Sequence, residues 1–495
     1  MSTDTAAVAP RADLFGHPRQ LWMLFMTEFW ERFAFYGMRW ALTLYIVAQF
    51  FGGDPSGQAY ASRTYGAFLA LVYATAIFGG YAADRLIGYQ RSILLGAVIT
   101  AAGLFMITVP NQEVFLMGLA VIITGNGLFK PNISTMVGKL YAADDDRRDR
   151  GFTIFYMGIN AGALVAPLVT GWLASEITDT PMVQNYKIVF LATGAGMLIS
   201  LLWFWFGRKQ LGEIGRPPEG KGMSAMAIVL VGCAICAPLV YFLLSKVGAE
   251  TMQIGLTALF VLLAVLLITE GIREGKEQRD KVIAMILLFA FNIFFWCFFE
   301  QAGSSFNFLA ENIVNRDFGG WEFPVGWFQS VNPAGIVLLA PVVAMIWTLL
   351  AKMKAEPSVP RKFGLGLILN GLSFTVLMFA LTNLVQDGQI PFWPLALTYV
   401  IQTVGELCLS PIGLSMVTKL APLKYVGLAM GGWFLSTAIG NNLSGIVAAM
   451  ISGETGMTVE SALDGFTLIF YILMAAGVLL FLIAPFIRKL MHGVK

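Results

Sequence analysis

Seven ionisable residues stand inside long apolar segments of this 495-residue chain: Glu28, Glu31, Arg32, Arg39, Lys130, Glu300 and Glu406. Charge at membrane depth is costly, so such groups face a bundle interior or a watery cavity and mark substrate or ion pathways. Four of them share one stretch, Glu28 to Arg39 (EFWERFAFYGMR), inside an apolar run from Leu21 to Phe51 that is long enough to cross a bilayer as a helix. At about 100° per residue, Glu28, Arg32, Tyr36 and Arg39 lie within roughly 80° of one another, with Glu31 about 60° to one side. A lone salt bridge between Glu28 and Arg32, spaced i to i+4, accounts for only two of these four charges, so the face reads as the wall of a functional cavity. The chemistry open to such a set is binding of a small charged solute and proton transfer by carboxylates. Imidazole takes no part, because the two histidines, His17 and His492, lie near the termini.

The elements that hold these residues follow from composition. With 57% hydrophobic and 13% charged residues, the chain reads as an all-helical polytopic membrane protein. A net charge of +2 and the lack of a long basic run give no reason to expect nucleic acid. Residues 1–20 are polar and mixed in charge, and the first apolar segment is too long for a cleavable signal, so the first helix is expected to stay in the mature chain. Hydropathy predicts spans near 21–50, 63–83, 92–109, 113–140, 152–175, 187–206, 223–245, 252–272, 281–312, 325–350, 363–385, 392–418, 426–451 and 463–487, fourteen helices in all. Lys and Arg outside the spans gather almost entirely on the side of both termini, with Lys187, Lys246 and Arg316 opposite, so both termini are expected in the cytoplasm of a cell inner membrane.

Short loops leave no room for a soluble domain. The longest connections flank the seventh and eighth helices, which read as a pair (208–280) inserted between a bundle over 1–207 and one over 281–495. Without that pair, twelve helices form four triplets, and each triplet carries its deep charge on its first helix: the Glu28 stripe, Lys130, Glu300 and Glu406. Repeats of three helices around one cavity produce that distribution. Counting residues from the helix ends puts Arg39 level with Glu300 towards the outside, and Lys130 level with Glu406 near the middle, giving two candidate ion pairs.

Other motifs carry less. Gly215 to Gly222 (GRPPEGKG) nearly spells a phosphate-binding loop, but Gly222 replaces the magnesium-binding hydroxyl and no strand precedes it, so ATP is not expected to drive the protein. Asp144 to Arg150 (DDDRRDR) could hold a metal-bound diphosphate in a membrane enzyme, yet its interleaved arginines read as a self-neutralising loop. The sequons at Asn132 and Asn442 fall inside spans. Cys233, Cys236, Cys297 and Cys408 sit in apolar segments and read as packing residues. Neither a metal site nor a catalytic nucleophile is apparent. Pro131, Pro333 and Pro411, each beside a polar residue, are read as kinks lining the cavity.

Glu28-x-x-Glu31-Arg32-Phe33 followed by Tyr36-Gly37 resembles the ExxERFxYYG signature of the proton-dependent oligopeptide transporters, the POT/PTR branch of the major facilitator superfamily. GGYAADRLIG (79–88), GNGLFKPNIS (125–134), FTIFYMGINAGALVAP (152–167), FFEQAGSSFN (298–307), WFQSVNP (327–333), GELCLSPIGLSM (405–416) and GGWFLSTAIGN (431–441) extend the resemblance over both halves, and the extra pair is similar to prokaryotic members. Phe35 departs from the signature's first tyrosine, and the second helix lacks the histidine of mammalian relatives. The resemblance implies a major facilitator fold of two six-helix bundles plus two inserted helices. It further implies a proton-coupled importer of di- and tripeptides that needs no cofactor or obligate protein partner; a related transporter of another small amino-acid-like or anionic solute is the alternative. Its implied peptide-binding set is Tyr36, Arg39, Tyr73, Lys130, Asn160, Trp296, Asn332, Glu406, Ser410 and Trp433. Glu28, Glu31, Arg32, Lys130 and Glu300 are implied in proton coupling and gating. A peptide zwitterion suits a cavity with cations at one end and a carboxylate at the other, with aromatics as adaptable pockets.

Overall fold

Hydrocarbon offers backbone N–H and C=O groups no partner, so a chain this apolar must bond them within helices. The computed structural model describes residues 13–142, 145–177, 182–218, 220 and 222–494, and among them no strand forms. Thirteen segments among these residues are long and apolar enough to cross a membrane. The 32-residue α1 (Arg19–Phe50), with its internal charges, makes the fourteenth. The fold is all-helical and of the major facilitator type.

The first half runs through α1, α2 (Gly57–Ala82), α3 (Gly88–Met106), α4 (Gln112–Gly138), α5 (Arg148–Glu176) and α6 (Met182–Gly207). Here α1 packs on α5 and α6, and α4 on α2 and α3. The second half holds α9 (Lys276–Phe299), the short α10 (Ser305–Asn312), α11 (Val331–Lys352), α12 (Val359–Asn383), α13 (Trp393–Leu420), α14 (Val426–Ser452) and α15 (Val459–Leu490). Between them, α7 (Met223–Phe242) leans on α4 through Ala225, Val229 and Leu128, while α8 (Ala249–Glu274) packs on α9 and α14. Large apolar side chains such as Phe78, Ile254, Leu338 and Leu482 point outward, as a lipid-facing surface requires.

The halves meet most closely where α2 crosses α14. A Cβ on Gly66 would stand 2.7 Å from Gly445 Cα, so only glycine lets the backbones approach this far. At the same end, Asn307 Nδ2 donates to Trp40 O at 2.8 Å, Trp327 Nε1 to Leu168 O at 2.9 Å and Ser330 Oγ to Leu164 O at 2.9 Å. This end, which holds the C-terminus of α1 and the N-terminus of α2, is sealed between the halves.

The predicted span 281–312 is not one helix. It breaks at Glu300–Gly303, a 3₁₀ turn between α9 and α10, with Ser304 at φ −127°, ψ −91°. Such a break is tolerated where protein groups satisfy the freed backbone. Ala302 O accepts from Gln329 Nε2 and, at 3.2 Å, from Tyr399 Oη; Gly303 O accepts from Thr43 Oγ1 at 3.2 Å. Of the prolines read as kinks, Pro131 lies inside α4, whereas Pro333 falls in the first turn of α11, where a missing N–H costs nothing.

Two motif readings can be placed. In the acidic run, Asp144 lies outside the described residues, but Arg147 bonds Asp145 at 2.9 Å and Asp13 at 2.8 Å, and its hydrogen bonds hold the Asp145 carboxyl below the usual carboxylate range. The loop neutralises itself. Glu219 and Lys221 of GRPPEGKG lie outside the described residues, and a 3₁₀ turn rather than a strand precedes that stretch. Asn132 and Asn442 are buried within helices, their amides bonded to Gly79 O and Ala249 O, out of reach of glycosylation.

Candidate functional site

Between the halves lies a cavity walled by polar residues from α1, α4, α11, α13 and the turn after α9, and by aromatics from α1, α2, α9 and α13. Arg32, Tyr36, Arg39, Tyr73, Lys130, Trp296, Glu300, Asn332 and Glu406, all expected from the sequence, line it. So does Phe35, which stacks on Phe68 and lies 5.3 Å from the Arg32 guanidinium. Glu28 and Glu31 sit just behind Arg32, both almost fully buried.

The charges sort into two ion-paired groups, the first with one carboxylate in excess and the second neutral, and a remainder. In the first group, Arg32 Nε meets Glu28 Oε1 at 3.1 Å and also Glu31 Oε2, and Asn126 Nδ2 donates to Glu31 Oε1 at 3.0 Å. Two carboxylates thus share one guanidinium, and Glu28 Oε2 is buried with no hydrogen-bond partner. In the second, Arg39 pairs with Glu300 across the halves while its Nε donates to Tyr65 Oη at 2.5 Å. A Cβ on Gly303 would stand 1.8 Å from that same hydroxyl, so the glycine after the helix break makes room for Tyr65.

The remainder is Lys130 and Glu406. They face the same cavity, as their depth predicts, but the expected ion pair between them is not formed. Lys130 Nζ lies 4.1 Å from the Tyr73 ring centroid, a cation–π contact. Glu406 Oε2 instead accepts from Asn332 Nδ2 at 2.8 Å, and that amide also reaches Thr403 Oγ1 at 3.0 Å. One cation and one carboxylate, on opposite halves, are left facing open space.

Three of the expected peptide-binding residues do not line the cavity. Asn160, on α5, turns its Nδ2 back to Tyr156 O at 2.9 Å. Ser410 lies one turn beyond Glu406 with its Oγ buried and unpartnered. Trp433, on α14, packs edge-on against Phe289 and Phe363 and against Gly413, where a Cβ would come within 2.3 Å of its ring. Conversely, Tyr65, Asn126, Gln329, Tyr399 and Gln402 belong to the site or its support and were not singled out. Asn126 was recoverable, because it precedes Lys130 by four residues on one helix face.

A sequence model of the POT family matches residues 90–463. The chain belongs to the POT family. It is 35% identical to a peptide transporter of Yersinia enterocolitica over 100% of this chain and 99% of the relative. It is likewise 35% identical to a di-/tripeptide transporter of Lactococcus lactis, over 97% and 98%. A crystal structure of a POT peptide transporter in complex with sulfate superposes with a TM-score of 0.84 at 36% identity, covering 98% of both chains. A POT family transporter in complex with 5-aminolevulinic acid gives 0.81 at 32% identity, covering 97% of this chain and 99% of that one.

Proposed function

We propose that this POT family member is a proton-coupled importer of di- and tripeptides. One observation carries the reading: after Arg32 and Arg39 are neutralised, Lys130 and Glu406 remain as a cation and a carboxylate on opposite walls of one cavity. A peptide zwitterion complements that pair, its carboxylate towards Lys130 and its ammonium towards Glu406, with Asn332 beside the latter. Side chains then meet Tyr36, Tyr73 and Trp296, surfaces that accept many shapes. A ligand bridging both halves favours the occluded state through contacts that improve as the halves close.

Coupling falls to the carboxylates. The Glu28–Glu31–Arg32 group carries one more negative than positive charge, so a proton fits there, and its arrival frees Arg32 for another partner. Glu300, in the sealed end, ties proton entry to access: protonated, it no longer holds Arg39 as an ion pair. The bundles over 1–207 and 281–495 rock about the substrate, with 208–280 as the inserted pair. The sealed end faces outward and the Lys- and Arg-rich termini face the cytoplasm of the inner membrane. Driven by the proton gradient, the protein needs no cofactor and performs no bond-making chemistry. The relative that binds 5-aminolevulinic acid favours keeping a second reading, transport of a small amino-acid-like solute. Competition of a labelled dipeptide by a panel of peptides, single amino acids and 5-aminolevulinic acid decides between them; the peptide reading requires di- and tripeptides to compete far better than the others.

A further inference from the structure

Resting on the peptide reading, we infer that Gln402 reads the backbone amide of the substrate, which makes it the residue that separates a dipeptide from other zwitterions of similar length. Gln402 stands four residues before Glu406 on α13, so the two side chains share one helix face, and both line the cavity. It is 1% exposed, and its Nε2 has no hydrogen-bond partner. Of its neighbours, Thr403 Oγ1 and Glu406 Oε2 both accept from Asn332. Among the described residues of this face, Gln402 brings an uncommitted amide to the site. Trp296, on the opposing α9, likewise lines the cavity with its Nε1 buried and unpartnered.

A buried polar group left unpaired is costly, and that cost is recovered only by a ligand that supplies the partner. The termini of a zwitterion are claimed by Lys130 and Glu406. The groups left between them in a dipeptide are the C=O and N–H of the peptide bond, and a carboxamide can bond either one. A chain with the same termini but only methylenes or an alkene between them would satisfy the two charges and leave Gln402 empty.

The test compares alanylalanine with its trans-alkene isostere, in which CH=CH replaces CO–NH, as competitors of labelled dipeptide uptake by the wild-type protein and by Gln402→Leu. Wild type should favour alanylalanine by roughly 2- to 12-fold, the equivalent of one hydrogen bond, and Gln402→Leu should lose that preference while still taking up peptide. Gln402→Asn, which keeps the amide donor on a shorter stem, should recover part of it. An unchanged preference in Gln402→Leu overturns the assignment. Failure of alanylalanine to compete even in wild type overturns the peptide reading itself, and this inference with it.

Discussion

Glu300→Gln isolates the ionic part of the seal, which the proposed orientation places on the outside. Arg39 and Glu300 are 10% and 6% exposed at their side chains, so their pairing is sheltered from screening. The glutamine keeps the shape and one neutral acceptor, and Arg39 keeps Tyr65. What is lost is the difference between a charge-assisted hydrogen bond, about 1.5–3 kcal/mol, and a neutral one, about 0.5–1.5 kcal/mol. A loss of roughly 1–2 kcal/mol from the sealed state alone raises the outward-open fraction about 5- to 30-fold. The seal is not abolished, since Asn307, Trp327 and Ser330 still bond across the halves. The assay is labelling of a single cysteine, Leu69→Cys on the cavity wall, by an impermeant maleimide added from outside, with the four native cysteines replaced. The labelling rate should rise by that factor in Glu300→Gln. An unchanged rate would refute the claim that this ion pair holds the end shut.

Lys130→Ala should abolish gradient-driven uptake of labelled dipeptide, because the cavity loses the cation that, among the described residues lining it, has no carboxylate partner; uptake at the wild-type rate would sink that role. Glu31→Gln should lose accumulation against a gradient yet retain peptide counterflow, and survival of both would place coupling elsewhere. Acetylating the amino end of a dipeptide should weaken competition about 10- to 150-fold in wild type, the value of one charge-assisted contact, but little further in Glu406→Gln. Equal losses in the two proteins would show that Glu406 does not read the ammonium.

The charges of the site were legible because hydrocarbon makes each so costly that only a cavity explains it. The Arg39–Glu300 pair even followed from counting depth along two helices. The same count brought Lys130 and Glu406 to one cavity but could not show them apart, since Tyr73 and Asn332, which occupy them, are neutral and carry no such signal. Tyr65, Gln329 and Tyr399 were silent for the same reason. The break at Glu300–Gly303 hid inside a span whose hydropathy is continuous, although Gly303-Ser304-Ser305 is a weak helix stretch and marks the place in hindsight. Asn160, Ser410 and Trp433 came from resemblance rather than cost, and the structure sets them back from the cavity wall.

Accumulation of a labelled dipeptide in proteoliposomes, with and without an imposed proton gradient, tests the account most directly. Peptide should concentrate inside only when the interior is more alkaline than the medium, saturate with substrate, and collapse on adding a protonophore. Accumulation that ignores the gradient, or a gradient that moves no peptide, would contradict it.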